Sequence, residues 1–181
     1  MTKYTSPVSS PIGKTGEIPD ELAILAALEA VIDAVRFRFE ALDNDLAQER
    51  PHGAQRSMAE IIAQMRSREE GFVQQLSSLA EDDVGGRVEI RPSRLFLSST
   101  DYQDDLGMFI QLRQKSLVIL RRLTHRQWHL AKEFPEVGQV AVMQLARHIA
   151  EQDAIDLNDL ADLRRSLSGG SIAGTAGVVP G

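Results

Sequence analysis

Six polar side chains stand where apolar ones would continue a helical stripe: Gln64, Arg68, Arg113, His148, Gln152 and Asp156. Gln64 and Arg68, His148 and Gln152, and Gln152 and Asp156 are each four residues apart, which puts both members of a pair on one helix face. Arginine can fork onto a carboxylate or an anionic ligand, amides both donate and accept, and an imidazole can hold a metal or move a proton. A charged group facing a helical interior is costly unless partnered, so the two outcomes are mutual pairing and a solvated ligand-binding cleft. Pairing of Arg68 or Arg113 with Asp156, the amides meeting the remaining hydrogen-bond needs, is the expectation; an open cleft would make the same six residues the ligand-binding set.

The histidines carry less. His52 lies in a Pro/Gly turn, and His148, beside an apolar face, reads as a hydrogen-bonded rim residue. His125 and His129 are four residues apart around Trp128 on a short helix, a spacing that holds a metal when a third ligand converges. No nearby residue supplies that ligand, so an exposed pair is expected and no metal is assigned. Trp128 reads as a packing anchor. The chain has no cysteine, which removes disulfides and thiolate chemistry. It also lacks a nucleophile elbow, a P-loop, a dinucleotide fingerprint and an H-E-x-x-H helix, and no cofactor is expected.

Four amphipathic helices must position these groups. The first starts at Pro19-Asp20 and carries Leu25, Leu28, Ile32, Val35, Phe39, Leu42 and Leu46 at alternating spacings of three and four, a seam that ends before Pro51 and Gly53. The second opens near Ser57, whose partner Glu60 completes a capping box, and runs through Met58, Ile61, Met65, Phe72, Leu76 and Leu79 to Gly85-Gly86. Residues 87–99 alternate weakly and contain Pro92, so a long connection is expected there. The third helix runs from about Asp101 to Leu123 with Tyr102, Leu106, Phe109, Leu117 and Leu120 on the stripe that Arg113 shares. Thr124 caps a short helix, residues 134–138 turn the chain, and the fourth helix follows with Val142, Leu145, Ile149, Leu160 and Leu163. With no convincing strand, the fold class is all-α, a four-helix bundle that buries these stripes against one another.

Length and charge bound the rest. At 181 residues one domain is expected, over residues 19–165, with Ser/Thr/Pro/Gly-rich tails at 1–18 and 166–181. A net charge of −6 argues against nucleic acid, which is held by clustered Lys and Arg, and no apolar run reaches bilayer-spanning length. No membrane role, no secretory signal and a cytoplasmic location are the expectation.

Three stretches resemble the DinB/YfiT-like family of helical bundles. Residues 57–64, ending at Gln64, look like its second helix. Phe109 to Arg113 followed by Leu117, Leu120, Leu123 and Gln127-Trp128 are similar to its third helix and the tryptophan segment behind it, and residues 145–157 are similar to its last helix. The resemblance covers roughly residues 19–165. It implies an up-down-down-up bundle with a long connection after helix two, often a homodimer, and a site of three ligand histidines that fall here on Gln64, Gln152 and Asp156. None of the three is histidine, and neutral amides are poor ligands for zinc, nickel or iron. The implied function is therefore a DinB-like protein without the three-histidine site, either a binder of a small polar or anionic molecule or a structural dimer. The alternative is a metal-dependent transferase or hydrolase with a non-standard site built on Asp156, His148 or Glu69.

Overall fold

The computed structural model describes residues 20–82, 101–134 and 138–170, and the fold is mostly helical. The four long helices are α1 (Asp20–Phe39), α3 (Met58–Asp82), α4 (Tyr102–Arg122) and α6 (Val142–Gly170). Two short helices, α2 (Asn44–Gln48) and α5 (His125–Trp128), sit in the connections after α1 and α4. The N-terminal residues, the connection after α3 and the last eleven residues lie outside the described residues.

Each long helix forms because its apolar residues recur at three and four. Leu28, Ile32, Val35 and Phe39 of α1, Met58, Ile62, Met65 and Leu76 of α3, Leu106, Phe109 and Leu120 of α4, and Ala146, Ile149 and Leu160 of α6 meet in one core. The ends are prepared as well. Ser57 and Glu60 exchange bonds at the start of α3, Ser57 N–H to Glu60 Oε2 at 2.7 Å and Glu60 N–H to Ser57 Oγ at 3.2 Å. Thr124 and Gln127 form the same box around α5. Asp104 and Asp105 open α4 and Arg121 and Arg122 close it, matching its dipole.

Side-chain bonds between helices give their relative directions. Arg66 meets Asp105 while Glu69 meets Arg113 and Ser116, so α3 and α4 run parallel. Arg56 meets Asp159 and Arg68 meets Asp153, so α3 and α6 are antiparallel. Asp20 pairs with Arg147 while Arg38 O accepts from Arg164, making α1 and α6 parallel. Glu29 pairs with Arg121 and Phe39 O accepts from Tyr102, making α1 and α4 antiparallel.

Three local expectations are corrected. The first helix does not continue through Leu42 and Leu46: it ends at Phe39, and Asp43 caps α2 by accepting from Asp45 N–H at 2.9 Å. The break has a use, because it frees Leu42 O for Gln103 Nε2 (3.0 Å) and brings Asn44 Oδ1 to Tyr102 N–H (2.9 Å) at the start of α4. Phe134 and Gly138, the two ends of the expected turn, belong to strands β1 (Ala131–Phe134) and β2 (Gly138–Ala141), paired antiparallel with Ala131 opposite Ala141. Four-residue strands containing Lys132, Glu133 and Gln139 have too little apolar alternation to announce themselves, and Gly138 opens β2 with a left-handed φ of +78° that glycine adopts without a Cβ penalty. At the other end, α6 carries on through Gly170, so residues 166–170 of the expected tail are helical, with Ser166 and Ser168 bonded back to Asp162 O and Arg164 O. Hydroxyls that bond one turn back let serine stay in a helix despite its low propensity.

Candidate functional site

One cluster in the interior joins two arginines, Arg113 and Arg68, to three carboxylates, Glu69, Asp153 and Asp156. Arg113, on the buried stripe of α4, is wholly out of contact with solvent. Its Nη2 donates to Glu69 Oε2 at 2.8 Å and lies 2.7 Å from Asp153 Oδ2, and its Nη1 donates to Leu28 O at 3.2 Å. One guanidinium therefore touches all four long helices: α4 carries it, α3 and α6 supply the carboxylates, and α1 a backbone carbonyl. Its Cζ also sits 5.1 Å from the Phe109 ring centroid. Glu69 Oε1 accepts from Ser116 Oγ at 2.5 Å. Arg68, 17% exposed, bridges two residues of α6 through one nitrogen, 2.8 Å from both Asp153 Oδ1 and Asp156 Oδ2.

Burial alone would push the Arg113 guanidinium toward losing its proton, but the charges and hydrogen bonds of Glu69 and Asp153 outweigh it and hold the group above its ordinary value. It is a permanent cation. In formal charge the two guanidiniums face three carboxylates, so the cluster has no surplus positive charge. Nearby, Arg66 Nε lies 3.2 Å from Asp105 Oδ1, a second and nearly buried pair between α3 and α4.

Of the six expected residues, the fold brings together Arg68, Arg113 and Asp156. Gln64 is exposed and bonds Arg56, which also reaches Asp159 at 3.0 Å on the outer side of α3 and α6. A shallow groove lined by Gln55, Arg56, Ile61 and Asp159 lies at this rim. His148 is exposed, and Gln152 is half-buried and outside the ion pairs. The reason is helical phase. The buried positions of α6 run Ile149, Asp153, Asp156, Leu160, and those of α3 run Met65, Glu69, Phe72, so the inward residues are Asp153 and Glu69, each one place beyond Gln152 and Arg68. Asp153 stood in no sequence expectation and Glu69 only in the metal-site alternative; a buried carboxylate in phase with apolar neighbours is the signal that marks both.

Away from the interior, the exposed histidines at the start of α5 and at its C-cap do meet a third group. His125 Nδ1 lies 2.5 Å and His129 Nε2 3.5 Å from Glu21 Oε1, in the first turn of α1. Glu21's own backbone N–H, and then His125, hold its carboxyl below the usual carboxylate range. Trp128 between them is buried, as a packing anchor should be.

Fold and site together define a mostly helical protein whose long helices are tied by a buried ion network. No protein-family model and no curated protein matches this chain. Among the described residues no helix is long and apolar enough to cross a membrane.

Proposed function

We propose that this chain is a DinB-like four-helix bundle acting as a dimeric structural or interaction module, its interior closed by an ion lock rather than by a metal. The observation that carries the reading is Arg113 on α4, with its partners on the other three long helices. A cation entering among Glu69, Asp153 and Asp156 would have to expel a guanidinium, and each of these carboxylates is within 2.8 Å of one. The helix directions support the family reading: α1 and α6 run one way, α3 and α4 the other, which is the up-down-down-up order. The non-standard metal site draws no support, because Asp156 and Glu69 face arginine and His148 faces outward. An anionic ligand draws none from a cluster in which carboxylates outnumber guanidiniums.

The dimer cannot use the Leu28, Ile32, Val35 and Phe39 seam, which the bundle itself buries. The opposite face of α1 remains: Ala23, Ala26 and Ala30 are exposed on one stripe that ends at Phe37, 92% exposed. Small residues let a second helix approach closely, and Phe37 extends the stripe into the kind of contiguous exposed apolar surface that marks protein–protein contacts. Sedimentation equilibrium tests this. The wild type is expected to be a dimer at micromolar concentration and Phe37→Asp a monomer; a monomeric wild type would remove the dimeric reading.

A further inference from the structure

The meeting of Glu21, His125 and His129 has no role in the ion lock. It joins the first turn of α1 to the short helix behind α4, two segments 104 positions apart in sequence. The atoms these residues can offer a metal all lie within 4.8 Å of one another. The two imidazoles stand edge to face with centroids 4.5 Å apart. Glu21 is anchored, its side chain only 14% exposed, while His125 at 81% and His129 at 49% are free to adjust.

We propose that Glu21, His125 and His129 form a binding site for a divalent transition metal of the zinc, nickel or copper class. The donor set decides the class: two neutral imidazoles and one carboxylate suit borderline metals, whereas calcium and magnesium take oxygen ligands. Three protein ligands leave at least one position for water or for a donor from another molecule. Metal–ligand bonds of about 2.0–2.1 Å in tetrahedral array put ligand atoms roughly 3.3 Å apart. The Glu21 to His129 separation of 3.5 Å already matches that spacing, and His125, now hydrogen-bonded at 2.5 Å, needs to withdraw by less than about 1 Å. The charges around the site do not forbid it. Arg121, which lines the same groove, is held by Glu29 at 2.8 Å. A bound ion would replace a hydrogen bond that fixes one histidine with bonds that fix both, pinning α5 to α1. The site is independent of the proposed dimer and ion lock, since it shares no residue with either.

Trp128 is the chain's only tryptophan and lies between the two histidines, so it reports binding directly. Metal-stripped, untagged full-length protein would be titrated with copper(II) chloride while Trp128 fluorescence is followed, and with zinc chloride by calorimetry. One saturable equivalent is expected, with Kd below about 50 μM. His125→Ala and His129→Ala should each weaken it by at least about tenfold, and Glu21→Gln similarly, while His148→Ala leaves it unchanged. Both histidines are exposed, so these variants should fold, which far-UV circular dichroism checks. Absence of saturable binding of either metal, or binding that survives His125→Ala and His129→Ala, would overturn the site. Binding lost in the histidine variants but untouched in Glu21→Gln would overturn the three-ligand geometry.

Discussion

Arg113 Nη2 and Glu69 Oε2 are 2.8 Å apart, with Arg113 wholly buried and Glu69 only 1% exposed. Two ions give up their hydration here, and what returns the cost is a set of bonds in which every carboxylate meets a guanidinium. The arrangement is more informative about partner geometry than about net stability. Apolar residues of similar volume could fill the same space, but removing one ion alone leaves the others stranded.

Arg113→Met should therefore destabilise the fold by about 3–5 kcal/mol, the usual cost of breaking a buried pair from one side. Urea unfolding at neutral pH measures it. Because the guanidinium's pKa is raised, its contribution is fully present below the ordinary arginine value and would fade only above it, so the loss should be the same at pH 7 and pH 9.

Arg68→Met should cost less, about 1–3 kcal/mol. Its side chain reaches solvent, and Asp153 keeps Arg113, so Asp156 is the group left without its cation. The same unfolding assay ranks the two variants, with Arg113→Met the weaker protein.

Burial raises the Tyr102 phenol well above its ordinary value, with Arg164 pulling slightly the other way. The neutral phenol is the form the fold accepts, so this stability is present below the ordinary tyrosine pKa of about 10 and is lost as pH rises through the raised one. The chain has two tyrosines. Tyrosinate absorbance in an alkaline titration should show one delayed ionisation that coincides with unfolding, and Tyr102→Phe should delete it.

The Ser57 backbone N–H, and then Arg50, hold the Glu60 carboxyl below its ordinary 4.5. A depressed carboxylate contributes above its unfolded pKa and loses that contribution as pH falls through the folded one. Glu60→Gln should thus cost under about 1 kcal/mol at pH 7, since the Arg50 pair is exposed and screened. The gap between the two melting curves should close in acid, below the ordinary carboxylate range.

The long helices were legible because three-and-four spacing has few other readings, and the caps at Ser57 and Thr124 because their partners lie three residues away. Arg113 was legible for the same reason, lying in phase with Phe109 and Leu120. Phase was harder to read where two polar residues are adjacent: at Gln152-Asp153 packing against the neighbouring helices selects the second, and at Arg68-Glu69 both enter the cluster, Glu69 buried and Arg68 from the rim. The break after Phe39 could not be read from α1, because its reason lies on α4, in Tyr102 and Gln103. Glu21 was invisible as a partner of His125 until the chain brought its ends of α1 and α5 together. Strands of only four residues, one of them carrying Lys132 and Glu133, are too short to show a period.

The central claim is that the interior ions are a lock shared among the helices, and a double-mutant cycle tests it most directly. Urea unfolding of the wild type, Arg113→Met, Glu69→Leu and the double variant gives the coupling between the two side chains. The lock predicts a coupling of at least about 2 kcal/mol, the double variant being far less damaged than the sum of the single ones. Additive losses, with a coupling under about 0.5 kcal/mol, would contradict it.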